Sequence, residues 1–240
     1  MKVFILAGGL GTRLAEYTKT IPKPMVKVLG YPILIHIMKH YIKYGYSKFY
    51  IAVGYKGYVI KKYFKNFKKE GQNFNFKISK TNCKITIVNT GLKTLTGGRL
   101  KRLESYLEHN EDFFFTYGDG ISSVNLKKLL TCHLKMKKAV TVTAVRPPAR
   151  FGELKIKGNK VISFKEKPQI NSGWINGGFF VAKKKFLKFI KNDSDILEKK
   201  PLELASKFGQ FNAFKHQGFW KCMDTIRDKQ VIEEILKRRK

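Results

Sequence analysis

Residues 2–14 read Lys2-Val3-Phe4-Ile5-Leu6-Ala7-Gly8-Gly9-Leu10-Gly11-Thr12-Arg13-Leu14. A short apolar run is stopped by glycine, so Lys2 to Ala7 is predicted as a buried strand. Gly8, Gly9 and Gly11 then allow backbone N–H groups to come close to an anion, as in a polyphosphate nest. Two familiar phosphate loops do not match. The dinucleotide fingerprint needs G-x-G-x-x-G, but Leu14 stands where its third glycine belongs, and the Walker pattern G-x-x-x-x-G-K-[ST] is missing. A chain reversal alone does not call for three glycines backed by Thr12 and Arg13.

Outward from this loop, strands and helices alternate. Ile33 to Tyr44 has helical periodicity, Lys48 to Val53 reads as a strand, and Tyr58 to Phe67 as a helix with a lysine face. Strands are predicted at Phe74 to Ile78, Ile85 to Val88, Phe113 to Tyr117 and Ala139 to Ala144, with helices at Gly97 to Leu107 and Leu126 to Lys137. The second half is less regular. It holds predicted strands at Gly152 to Ile156, Val161 to Phe164, Ile175 to Val181 and Phe211 to Lys215, and helices at Lys184 to Ile190, Pro201 to Lys207 and Thr225 to Lys237. The expected fold class is α/β: a single Rossmann-like domain over residues 1–240, with a central, mostly parallel mixed sheet flanked by helices. Residues 1–144 are expected to form its nucleotide side and residues 145–240 a second substrate side.

The chain has 240 residues, with 49 Lys+Arg against 17 Asp+Glu and a formal net charge of +32. Hydrophobic residues at 43% are too many for a disordered polycation. Of the basic residues 41 are Lys and 8 are Arg, and with Phe, Tyr, Met, Ile and Asn the lysines follow a composition that A/T-rich codons produce. Lys also lacks the bidentate fork of Arg, and the lysines are dispersed rather than striped with aromatics, so a nucleic-acid partner is the remote alternative. No apolar run approaches the ~18 residues of a membrane span. No signal peptide is visible, and Cys83, Cys132 and Cys222 form no metal pattern, so a cytoplasmic setting is expected.

Other segments carry candidate chemistry. Pro22-Lys23-Pro24-Met25 presents one lysine between two rigid residues, suited to a phosphate. Asp119 follows an apolar strand between Gly118 and Gly120, where open α/β sheets bind ligands. Asp224 precedes the last helix and reads either as its N-cap or as a second acid. Two aspartates with phosphate oxygens are a common way to hold Mg2+. Glu166-Lys167-Pro168 and Asn176-Gly177-Gly178 place a carboxylate, an ammonium and an amide where a phosphorylated sugar needs partners.

In order, these segments resemble the sugar-phosphate nucleotidyltransferases, whose pattern is L-x-G-G-x-G-T-R-L, K-P-M, a strand-end Asp, E-K-P, N-x-G and a late Asp. Thr96-Gly97-Gly98-Arg99-Leu100-Lys101, Arg150-Phe151-Gly152 and Gly218-Phe219-Trp220 with Met223-Asp224-Thr225 are similar to the glucose-1-phosphate cytidylyltransferase branch. The similarity runs from Met1 to about Lys237. It departs at Lys68 to Lys84, which is shorter and richer in lysine, and at a C-terminal tail that ends early. The resemblance implies a nucleotidyltransferase domain that takes CTP and α-D-glucose 1-phosphate and gives CDP-glucose and pyrophosphate, with UTP or dTTP as the alternative donors. It implies Mg2+ on Asp119 and Asp224, and phosphate contacts from Arg13 and Lys23. Leu6, Ala7, Gly8, Gly9, Leu10, Gly11, Thr12 and Gly118 would surround the nucleotide. Thr96, Gly97, Gly98 and Arg99 would face base and ribose, and Glu166, Lys167, Asn176 and Gly178 the sugar phosphate. It further implies a homo-oligomer, since relatives form hexamers, with neither a nucleic-acid nor a membrane partner.

Overall fold

The structure is a computed structural model that describes residues 1–65, 69–70, 73–78, 80–147, 153–165 and 173–238. Nine strands form one sheet: β1 Lys2–Ala7, β2 Lys48–Val53, β3 Lys69–Glu70, β4 Asn73–Ile78, β5 Thr81–Asn89, β6 Asp112–Tyr117, β7 Val140–Val145, β8 Ile175–Lys183 and β9 Phe211–His216. Their order is β9-β7-β8-β6-β1-β2-β5-β4-β3. β1 is flanked by β2 and β6, parallel to both, and β2 is parallel to β5. Only β4 and β8 run against the common direction. The main helices are α1 Ile33–Ile42, α2 Gly57–Lys65, α3 Thr96–Lys101, α4 Leu126–Met136, α5 Lys200–Lys207 and α6 Ile226–Arg238. This is the single α/β domain with a mixed, mostly parallel sheet that the alternation predicts.

Side-chain alternation builds a core on each face of the sheet. Val3, Ile5 and Ala7 join Phe114, Phe179 and Val181 on one face, packed with α1 residues such as Ile37 and Tyr41. Phe4 and Leu6 join Phe113, Phe115, Phe180 and Ala182 on the other. Across the antiparallel β6–β8 pair, Phe115 and Phe180 stack with ring centroids 4.3 Å apart. Both are fully buried, and this pair ties the late strand β8 to the centre of the sheet.

Two expectations need correction. Gly97 to Leu107 is not one helix but α3 followed by a 3-10 turn over Glu104–Tyr106. Leu100, Leu103 and Leu107 all enter the same core, so the helical spacing is satisfied across the break. Lys184 to Ile190 is likewise a 3-10 helix, Lys184–Phe189, with Phe186 and Leu187 buried. The ends of the helix expected to reach Phe67 and of the strand expected from Gly152 lie outside the described residues. Two short antiparallel pairs, the hairpin Lys27–Val28 with Tyr31–Pro32 and the long-range pair Gly120–Ser122 with Trp220–Cys222, have too few residues for periodicity to register.

Two core predictions follow from packing and burial. Phe180→Ala should cost about 3–5 kcal/mol by leaving a cavity against Phe115, read as a lower urea midpoint. Burial also lowers the pKa of His40 and of His133 from 6.5 to about 4, outweighing the opposing charge of Asp112 on His133. The unfolded chain therefore binds more protons in that window. The stability these neutral rings provide is present above about pH 6.5 and is lost as pH falls towards 4. Urea titrations at pH 7, 5.5 and 4 should show the decline, and His133→Asn should flatten it.

Candidate active site

The parallel strands end on one edge of the sheet. Strand order turns outward in both directions from β1, so the crevice beyond β1 and β6 is the ligand position for this topology. The glycine loop leaves β1 there. Gly11 adopts φ 67°, a left-handed conformation that glycine accepts without strain, and Thr12–Leu14 follows as a 3-10 turn. Thr18 Oγ1 donates to the Gly11 carbonyl at 3.1 Å, closing the loop on itself. Gly9, Leu10, Thr12 and Arg13 are exposed at its tip. Leu6 and Ala7 are buried in the two cores, so only their backbone is available to a ligand.

Lys23 lies in a 3-10 turn over Lys23–Met25 and is buried. Gly118 lets the end of β6 approach this turn, since a Cβ there would stand 2.9 Å from Pro24 Cγ. Gly118 N also donates to the Leu6 carbonyl at 3.0 Å. Asp119 therefore emerges beside the glycine loop and next to Lys23.

Asp224 arrives from the far end of the chain. Trp220–Cys222 pairs antiparallel with Gly120–Ser122, and Met223 N donates to the Asp119 carbonyl at 2.9 Å. The alternative role for Asp224, capping the last helix, is filled by its neighbours. Thr225 Oγ1 accepts from Asp228 N at 3.1 Å, and Asp228 Oδ2 accepts from Thr225 N at 3.0 Å and Asp224 N at 3.1 Å. This reciprocal capping box leaves the Asp224 carboxylate free to turn into the crevice.

The four charged residues meet there. Lys23 Nζ donates to Asp119 Oδ2 and to Asp224 Oδ1, both at 2.6 Å. Arg13 Nη1 donates to Asp224 Oδ2, also at 2.6 Å. Burial by itself lowers the Lys23 pKa, but the charges and hydrogen bonds of Asp119 and Asp224 outweigh it, and the net shift is upward. Lys23 is therefore a permanent cation. Its ammonium marks a position where two hard carboxylate donors converge on one positive charge. Mg2+ uses one or two carboxylates and completes its shell with water and phosphate, so this donor set fits it. Among the described residues no group of three or more His, Cys, Asp or Glu is arranged to hold a metal ion by itself.

Arg99 was expected at the base and ribose, but it lies beneath the loops. It is buried, and Nη1 donates to Thr90 Oγ1 at 2.7 Å, the Gly91 carbonyl at 2.8 Å and the Val53 carbonyl at 3.3 Å. A Cβ on Gly8 would stand 2.3 Å from this guanidinium, and one on Gly54 2.4 Å. Thr96, Gly97 and Gly98 are likewise engaged by the chain. Thr96 Oγ1 donates to Glu198 Oε2 at 2.8 Å, Gly97 N donates to the Asp195 carbonyl at 2.9 Å, and a Cβ on Gly98 would stand 2.5 Å from Asp193 Cα. These residues hold the 193–198 segment against the sheet.

On the other side of the crevice, Asn176 Nδ2 donates to the Tyr117 hydroxyl at 3.4 Å, and Gly178 lies against the Tyr117 ring. Glu166 and Lys167 lie outside the described residues. Sequence reasoning missed Tyr117 and Glu198. Burial pushes the Tyr117 phenol well above its usual range, and the charge of Glu198 and their shared hydrogen bond add to this. Glu198 sits in Leu197-Glu198-Lys199-Lys200-Pro201, which reads as an ordinary helix start, so only the contact with Thr96 and Tyr117 marks it.

Arg99 and the paired glycines yield one prediction. Gly54→Ala would force a Cβ to within 2.6 Å of the Gly91 carbonyl as well as into Arg99. It should destabilise the protein by about 1–3 kcal/mol, measured by chemical denaturation.

Residues 2–220 match the Nucleotidyl transferase family. The chain is 44% identical to glucose-1-phosphate cytidylyltransferase of Salmonella typhimurium, across 98% of this chain and 95% of that protein. It is 37% identical to a probable glucose-1-phosphate cytidylyltransferase of Bacillus subtilis, across 98% of this chain and 96% of that one. Among solved structures, HddC from Yersinia pseudotuberculosis is similar with a TM-score of 0.73 and 28% identity, covering 98% of this chain and 99% of that one.

Proposed function

The chain belongs to the nucleotidyl transferase family, and from that premise we propose that it transfers a cytidylyl group from CTP to α-D-glucose 1-phosphate, giving CDP-glucose and pyrophosphate. The identity of 44% across nearly the whole of a glucose-1-phosphate cytidylyltransferase carries this reading. The crevice supports it with groups suited to phosphates and a cation.

A phosphate oxygen of the sugar phosphate attacks the α-phosphorus, and the bond to the β-phosphate oxygen breaks as pyrophosphate leaves. That oxygen is already anionic at neutral pH, so no general base is needed. Catalysis reduces to positioning and charge neutralisation. Gly8, Gly9, Gly11 and Thr12 direct the triphosphate with backbone and hydroxyl donors. Lys23, held protonated, stabilises charge at the α-phosphate, and Arg13 does so on the departing pyrophosphate. Asp119 and Asp224 would hold Mg2+, which when bound would neutralise phosphate charge. Asn176 and Gly178, with Glu166 and Lys167, orient the sugar phosphate, and residues 145–240 form that side of the site. Arg99, Thr96, Gly97 and Gly98 act through the loops they brace. We place the protein in the cytoplasm, consistent with three unpaired cysteines, and take it as a homo-oligomer by resemblance. Among the described residues no helix is long and apolar enough to cross a membrane.

The test is pyrophosphate release with glucose 1-phosphate, Mg2+ and each nucleoside triphosphate in turn. CTP should be the preferred donor, and preference for UTP or dTTP would overturn the assignment. Asp119→Asn should lower kcat by at least about 100-fold while the chain still folds, as read from its thermal melt.

A further inference from the structure

The cations suited to the triphosphate and the acids suited to the metal are bound to one another. Lys23 bridges Asp119 and Asp224, and Arg13 takes the second oxygen of Asp224, all at 2.6 Å. Two positive and two negative side chains thus form a neutral knot across the site. Its members are not equally free. The Lys23 side chain is only 9% exposed and the two carboxylates about a quarter, whereas Arg13 is 71% exposed.

We propose that this knot is a lock that admits nucleotide and divalent cation together and resists either alone. A cation arriving alone must take carboxylate oxygens from Lys23 and leave a buried ammonium without its partners. A bare triphosphate must draw Lys23 and Arg13 away and leave Asp119 and Asp224 uncompensated. Removing one partner from a desolvated charge pair is the costly step. A cation–triphosphate complex exchanges both at once. The acids pass from ammonium to cation as Lys23 and Arg13 pass from carboxylate to phosphate, and no charge is stranded. The lock rests on the proposed function only for the identity of the anion.

Mn2+ is the probe, followed by the loss of its free-ion EPR signal on titration with the intact protein. CTP binding is measured by calorimetry with and without EDTA. In the wild type, Mn2+ alone and CTP in EDTA should each bind at least about tenfold more weakly than the two together. Lys23→Met should tighten the binding of Mn2+ alone by roughly tenfold, while Lys23→Arg, which keeps the charge, should not. Asp119→Asn should weaken Mn2+ binding yet tighten CTP binding in EDTA. The lock is overturned if Lys23→Met leaves Mn2+ affinity unchanged or lower, or if Asp119→Asn leaves metal-free CTP affinity unchanged or lower. Thermal melts identify any variant that fails to fold, and the remaining variant then decides. The arms with Mn2+ alone need no nucleotide, so their outcome stands even where the pyrophosphate assay rejects CTP.

Discussion

The rest of the crevice is organised around one ammonium held between two carboxylates. Lys23, Asp119 and Asp224 come from the first, middle and last parts of the chain, and no local element brings them together. Their meeting depends on strands β1 and β6 lying side by side and on the antiparallel pair in which Cys222 stands opposite Gly120. Just beyond that pair, Met223 N donates to the Asp119 carbonyl. The aromatic stack of Phe115 on Phe180 and the hydrogen bond from Trp220 Nε1 to the Gly177 carbonyl, at 2.6 Å, tie the β8 side to the same frame. Packing far from the site therefore sets the distances within it.

The net charge of +32 has little to do with this arrangement. The lysines are dispersed along the whole chain, over strands and loops as well as helices, and exposed charges of this kind are weakly coupled to their neighbours. Within the crevice, the ion-paired Lys23 and Arg13 are matched by Asp119 and Asp224. In a chain with only 17 acids, the placement of Asp119 and Asp224 is the more informative electrostatic feature. The excess positive charge can raise the rate at which anionic substrates are captured, but the crevice decides what is held.

Much of the fold is legible in the sequence. Short apolar strands broken by glycine, and helices with lysine on one face, carry strong periodicity. Their alternation leaves few topologies besides an open α/β sheet. The glycine loop and Asp119 are legible for a related reason: they sit at strand ends, where side chains are released from packing. What escapes a linear reading is set by contacts between distant segments. Asp224 is ambiguous until Thr225 and Asp228 are seen to cap the helix in its place. Glu198 looks like any acid at a helix start until Thr96 donates to it. Thr96, Gly97 and Gly98 resemble a ligand-facing run because glycines permit close approach, but a neighbouring backbone makes that approach.

Arg99 carries this last point into electrostatics. It is a buried guanidinium whose described acceptors are carbonyls and a hydroxyl, with no carboxylate among them. Burial lowers its pKa, with the charge of Arg102 adding to the effect. An arginine starts so far above neutrality that the charge persists. Gly8 and Gly54, lacking side chains, bring the two loops directly onto that charge. The glycine loop therefore has a permanent positive charge beneath it, whatever Lys23 and Arg13 are bound to. The site thus combines one buried cation bound to carbonyls and a hydroxyl with two that are held on acids. The buried arginine therefore adds fixed positive charge beneath the loop, next to the ion pairs at Lys23.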